Sequence, residues 1–150
     1  MKALTIWQPW ASLIAWGEKE YETRSWPTPY RGLLAVHAGK HCETKELLAL
    51  NSFYRQVFER HGFDQNQEVP LPSGAVLCVV RLVDCCPTEN LTVKAFTGSG
   101  FRISQKEEMF GDYSSGRFAW KLEVVEVFNP PIPAIGRQGL WEWVPHMDWR

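Results

Sequence analysis

No apolar run in this chain approaches the ~20 residues that cross a bilayer, so a membrane span is excluded as a reading of the sequence. Neither sign of charge is in excess: 16 Lys and Arg face 17 Asp and Glu, for a formal net charge of −1. A protein that coats nucleic acid nonspecifically needs many Lys/Arg–phosphate contacts, which this balance does not supply. Cysteine is sparse. Cys42, Cys78, Cys85 and Cys86 include no C-x-x-C pair, and adjacent Cys85 and Cys86 make a poor disulfide and a poor zinc clamp. Buried free thiols in a reducing compartment are the expectation. His37, His41 and Cys42 are near neighbours, but zinc sites recruit four ligands in clearer pairs, so no metal is expected. Gly98-Ser-Gly100 lacks the strand and lysine of a phosphate loop. Internal repeats and low-complexity segments are absent. The opening MKALTIWQPW reads as structure rather than as a signal peptide. These absences predict a soluble, cytoplasmic protein without metal or cofactor.

Tryptophan, by contrast, is abundant, with 8 residues spread from Trp7 to Trp149. Aromatics bury large areas, so most should pack in a core, leaving one or two to line a pocket. A length of 150 residues suits one domain, 1–150.

Lys2–Ile6 predicts a strand. Pro9 suits the first helical position, and Trp10, Leu13 and Ile14 follow at helical spacing up to Gly17. The period then changes to two, with Glu22, Arg24 and Trp26 facing one way and Tyr21, Thr23 and Ser25 the other. A buried strand follows at Leu33–Ala38. Residues 43–61 predict the longest helix, with Leu47, Leu50, Tyr54, Val57 and His61 on one stripe and Gly62 as its stop. Residues 64–73 read as a loop leading to a central strand, AVLCVVRLV. Ser104 and Glu107 have capping-box spacing before a short helix that Gly111 ends. Phe118, Trp120, Leu122 and Val124 alternate along a long strand. The Val124-Val125 doublet predicts a bulge there, and Pro130, Pro131 and Pro133 predict an edge. Strands outnumber helices without regular alternation, which predicts an α+β fold: a small mixed β-barrel with flanking helices.

The chemistry concentrates in Gly17–Arg24, read GEKEYETR. Two-residue spacing places Glu22 and Arg24 on one strand face, roughly 6.5–7 Å apart. Lys19 sits in the preceding turn within reach of the same space. Two cations and a carboxylate can polarise an anion or carbonyl and accept from an amino group. A solvated edge strand with a weak surface pair is the bland alternative.

The pattern G-x-K-x-x-E-x-R, present as Gly17, Lys19, Glu22 and Arg24, resembles the signature of ASCH domains (activating-signal-cointegrator homology) of the PUA-like β-barrel group. The opening LTIWQPWASLIAWG, RGLLAVHA at Arg31–Ala38, GAVLCVVRLVD at Gly74–Asp84 and FAWKL at Phe118–Leu122 resemble it too, in order. The resemblance covers nearly the whole chain and is weakest over 88–116. It implies a PUA-like barrel and binding of RNA or another nucleic acid. It also implies possible hydrolase chemistry, since some small bacterial members are amidohydrolases on N4-acylated cytidine and a ribonuclease activity is attributed to the family. In those amidohydrolases the motif lysine acts as base towards a threonine three residues later; this chain has Glu22 there, so the catalytic candidates become Lys19 and Glu22.

On the binding reading the ligand is RNA, a nucleotide or a modified nucleoside. Lys19 and Arg24 meet phosphate or carbonyl groups, and Glu22 accepts from an exocyclic amine. Trp26, on the motif's strand face, and Trp141, after a glycine-rich turn, are the stacking candidates, with core packing as the alternative for each. His37 is expected to border the pocket or to be a satisfied structural histidine. Arg31, with Lys40, extends the phosphate-contacting surface. No signal for a particular oligomeric state is present.

Overall fold

The computed structural model describes residues 1–63, 71–91 and 103–145. Among these residues six strands make one mixed sheet: β1 (Lys2–Gln8), β2 (Tyr21–Arg24), β3 (Gly32–Cys42), β4 (Ala75–Pro87), β5 (Phe118–Pro133) and β6 (Leu140–Glu142), in the order β2-β5-β4-β3-β1-β6. β1 runs parallel to β3, and the other pairs are antiparallel. Parallel neighbours need a crossover, and here α1 (Trp10–Ala15) and β2 lie between them in the chain. The valine-rich segment at 75–83 is indeed central, flanked on both sides by ladders.

Alternation sorts the strands onto two faces. Leu4, Ile6, Leu34, Val36, Val80, Leu82 and Trp120 pack with Ala11 and Ile14 of α1. Ala3, Ala35 and Val76 pack on the other face with Trp141 and Trp143. A third cluster joins Leu13 of α1 to Tyr54, Val57, Phe58 and Phe110, seating α3 (Ser52–Arg60) on the outer side of α1. Burial of each such large side chain contributes roughly 1.5–3 kcal/mol.

The expected barrel is not hydrogen-bonded shut. Among the described residues β2 and β6 each have a ladder on one side only, so the sheet they form stays open. β2 is four residues long, and it is the Arg24 side chain, not a backbone ladder, that reaches β1 by donating to the Thr5 carbonyl at 2.8 Å.

The long helix expected over 43–61 is two helices, α2 (Thr44–Leu50) and α3. Asn51 leaves helical dihedrals at φ −133° and ψ 108°, and its side chain accepts from the Phe53 N–H at 2.9 Å. An Asx N-cap restarts the helix, which throws Leu50 off the apolar stripe to 87% exposure. The cysteines are all free, but only Cys78 is buried. Cys42 is exposed, and Cys85 and Cys86 point to opposite sides of β4, half-buried.

Other expectations hold. Val79 pairs with Glu126 and Val80 with Val124, leaving Val125 as an extra residue on β5: the bulge. Among the described residues the prolines of β5 lie where β4 is its only ladder partner, since β2 pairs with 118–121. Gly98 to Gly100 fall outside the described residues.

Candidate functional site

The motif begins where α1 ends. Gly17 takes φ +75°, a left-handed conformation that glycine adopts without strain. The Leu13 carbonyl then accepts from the N–H groups of both Glu18 (2.9 Å) and Lys19 (3.0 Å). This reversal turns Lys19 inward, and β2 carries Glu22 and Arg24 on one face.

Lys19 is 2% exposed; its Nζ donates to the Phe110 carbonyl at 3.0 Å and stands 3.9 Å from Glu22 Oε1. Arg24 Nη2 donates to Glu22 Oε2 at 3.2 Å. One carboxylate therefore lies between two cations, one sealed from solvent and one open to it. Burial pulls the Lys19 ammonium below the usual lysine range, although the Glu22 and Glu107 carboxylates oppose that shift. Both protein contacts of Arg24 run through Nη2, and its Nε–H has no partner among the described residues.

Two cavities share Thr5, Trp7 and Arg24 as a common wall. The smaller, of about 520 Å³, adds Glu22, Thr23, Trp10, Tyr54, Phe110 and Arg117 among its lining. The larger, of about 1340 Å³, adds Trp26, His37, Lys40, Trp141 and the turn at 134–139.

A family model for the ASCH domain matches residues 4–132. The chain belongs to the ASCH domain family. Activating signal cointegrator 1 of Mus musculus is 39% identical over 106 residues, and that of Homo sapiens 38%. Those alignments cover 70% of this ASCH chain but only 17% of either relative, so the likeness is to a small part of each. Among solved structures, ASCH from Zymomonas mobilis is similar with a TM-score of 0.47 at 14% identity, over 88% of this chain and 72% of that one. A mutant of the same protein gives 0.46 at 14%, over 88% and 74%.

Within this ASCH domain the residues expected at the site separate. Glu22 and Arg24 line the smaller cavity, and Arg24 the larger as well. Lys19 lines neither; it stands behind Glu22. Trp26 borders the larger cavity with its ring held edge-on against Trp120, centroids 4.8 Å apart. Trp141 is 8% exposed and donates through Nε1 to Thr5 Oγ1 at 3.2 Å. His37 is buried, with Nδ1 3.2 Å from Thr5 Oγ1 and Nε2 2.8 Å from the Ala134 carbonyl. The network assigns the hydrogen to Nε2 and leaves Nδ1 to accept from Thr5, so both ring nitrogens are satisfied. Arg31 is not brought to the site. It donates to the Thr28 and Tyr30 carbonyls and faces Asp84 at 3.6 Å. Thr23, expected on the face away from Glu22, also borders the smaller cavity, because the segment at 110–112 wraps past the edge of β2. Its hydroxyl accepts from the Asp112 N–H at 3.2 Å. Among the described residues no three His, Cys, Asp or Glu side chains are grouped to hold a metal ion.

The sequence reading missed several residues here, among them Trp7 and Arg137 at the cavities and Glu107 beside the buried Lys19. Trp7 is 52% exposed on the common wall, stacked at a tilt on His41 with centroids 4.0 Å apart. The alternation of β1 was the available signal: Leu4 and Ile6 face the core, so Thr5 and Trp7 face away. Glu107, on α4 (Gln105–Met109), had no such signal. Its N–H is capped by Ser104 Oγ at 3.1 Å, as the capping-box spacing predicts. Its carboxylate, however, turns away towards the backbone N–H groups of Glu20 and Tyr21, accepting from Glu20 through Oε1 while Oε2 has no hydrogen-bond partner among the described residues. Burial holds Glu107 above the usual carboxylate range despite those donors and Lys19. Lys19 and Glu107 are thus both pushed towards their neutral forms by loss of water.

Proposed function

We propose that this ASCH domain binds RNA, or a modified nucleoside or nucleotide, in the cavity walled by Glu22 and Arg24. Arg24 carries the reading. Among the described residues its guanidinium is anchored through Nη2 alone, and it shares the cavity wall with the exposed Trp7 ring. A planar fork with donors to spare suits a phosphate or a base carbonyl. The neighbouring indole suits a base, because every base offers a π-face. Glu22 supplies an acceptor for an exocyclic amine. A cavity of about 520 Å³ falls in the size range of small-molecule sites. The family resemblance, with its link to RNA, points the same way.

Binding is favoured over hydrolysis by the position of Lys19. Its Nζ is lodged under the Phe110 carbonyl and outside both cavity walls, so a substrate in the cavity meets Glu22 and Arg24 first. Titration of single-stranded and duplex oligonucleotides and of nucleosides tests the proposal. Arg24→Ala and Trp7→Ala should each weaken binding by about 1–3 kcal/mol, roughly 5- to 150-fold. Binding that is equal in wild type and both variants would remove the site from consideration. A panel of N4-acylcytidines should yield no cytidine; release that depends on Lys19 would replace binding with hydrolysis.

A further inference from the structure

We propose that the larger cavity is a second nucleotide subsite, so that the ligand is a single strand of nucleic acid lying across Arg24 rather than a free nucleoside. This rests on the reading of the smaller cavity given above. The two cavities differ in charge. Among its lining residues the smaller balances Glu22 and Asp112 against Arg24 and Arg117, with Arg117 Nε already 3.5 Å from Asp112 Oδ2. The larger sets Arg24, Lys40 and Arg137 against one carboxylate, Glu142, which Lys2 already holds at 2.7 Å. Lys40 and Arg137 are exposed, and neither makes an ion pair among the described residues. A balanced, aromatic cavity suits a base and its sugar. A cavity with two unpaired cations beyond the same wall suits the phosphates that continue from it.

Aromatic platforms accompany the charge. Trp7 stands on the shared wall, and Trp26 borders the larger cavity with its ring fixed at 88° to Trp120. Cationic grooves interleaved with aromatic faces are how proteins hold single strands, whose bases are free to stack on side chains. At about 1340 Å³ against about 520 Å³, the larger cavity has room beyond one nucleoside. Its floor is preformed: the backbone at Gly136 lies so close to His37 and Thr5 that a Cβ there would sit 2.5 Å from the His37 ring.

A length series tests this: mono-, di-, tri- and hexanucleotides, in ribo and deoxy forms, titrated against wild type, Lys40→Ala/Arg137→Ala and Arg24→Ala. Wild-type affinity should climb about tenfold or more from mono- to trinucleotide and then level off. The double variant should lose that climb while its mononucleotide affinity stays within about twofold, since neither residue lines the smaller cavity. Equal affinity for mono- and hexanucleotides, or a climb intact in the double variant, overturns the second subsite. Polyglutamate competing as well as the oligonucleotide at matched charge overturns nucleic acid as its occupant. Failure of the first cavity reads differently: Arg24→Ala would leave mononucleotide affinity unchanged. No binding at any length overturns both.

Discussion

At the scale of single residues, the larger cavity has a glycine, Gly136, where nothing larger than a hydrogen fits. A methyl group on Gly136 would lie 2.5 and 2.6 Å from His37 Cε1 and Nδ1, and 2.7 Å from Thr5 Oγ1. None of these atoms is the loose end of a flexible chain. The His37 ring is held at both nitrogens, and Thr5 Oγ1 also receives the Trp141 N–H. Gly136→Ala must therefore displace the turn or break that chain of hydrogen bonds. Overpacking of this kind costs about 1–3 kcal/mol. Urea unfolding should show a lower midpoint at unchanged slope; an unmoved midpoint would mean the turn yields freely. By contrast, Gly17 has open space around a Cβ, and there only the left-handed backbone resists substitution. The sequence makes Gly17 legible, because a helix end announces it. Gly136 is not legible, because its reason is a contact with a strand far away in the chain.

Among elements, the motif is tied to two helices through Glu18. Its carboxylate meets Arg60 Nη2 at 3.3 Å and His61 Nε2 at 2.9 Å on the α3 side, and Lys106 Nζ on α4. Burial alone would raise its pKa, but Lys106, His61 and Arg60 together bring it down to about 2. The folded carboxyl thus releases its proton more readily than the unfolded one near 4.5, so this group stabilises the fold above about pH 4.5 and loses its contribution as pH falls towards 2. The shift corresponds to at most about 3 kcal/mol, and less in practice because Arg60 and Lys106 are well exposed. Glu18→Gln should therefore flatten the acid limb of stability against pH, measured as the urea midpoint between pH 5 and 2; an acid limb as steep as wild type would show that Glu18 does not link these elements. Local rules made most elements readable. The capping spacing at Ser104 and Glu107, the Val124-Val125 doublet and the β-branched run at 75–83 each carry their cause within a few residues. What failed was decided elsewhere. Asn51 caps a second helix inside a continuous apolar stripe, and cutting Asn51→Ala should cost about 1 kcal/mol. Likewise the Glu107 carboxylate is claimed by β2 rather than by its own helix.

For the whole molecule, a net charge of −1 sets how the proposed binding must respond to salt. A protein that holds nucleic acid by a broad basic surface releases many counterions, and its affinity falls steeply as salt rises. Here the cations that border the larger cavity are Arg24, Lys40 and Arg137, while Arg31 lies away from the site facing Asp84 and Arg117 faces Asp112. Three phosphate contacts on a single strand correspond to a slope of log affinity against log salt of about −2. The rest of the chain, which carries more acid than base once these three cations are set aside, should add little. Binding of a hexanucleotide measured between 50 and 300 mM salt should give that shallow slope, reduced to about −1 in Lys40→Ala/Arg137→Ala. A slope of about −5 or steeper would require more cations than these cavities hold, and would move the interface to another face of the molecule. A slope near zero would leave affinity to stacking and base contacts alone, with Trp7 and Glu22 as the residues to test next.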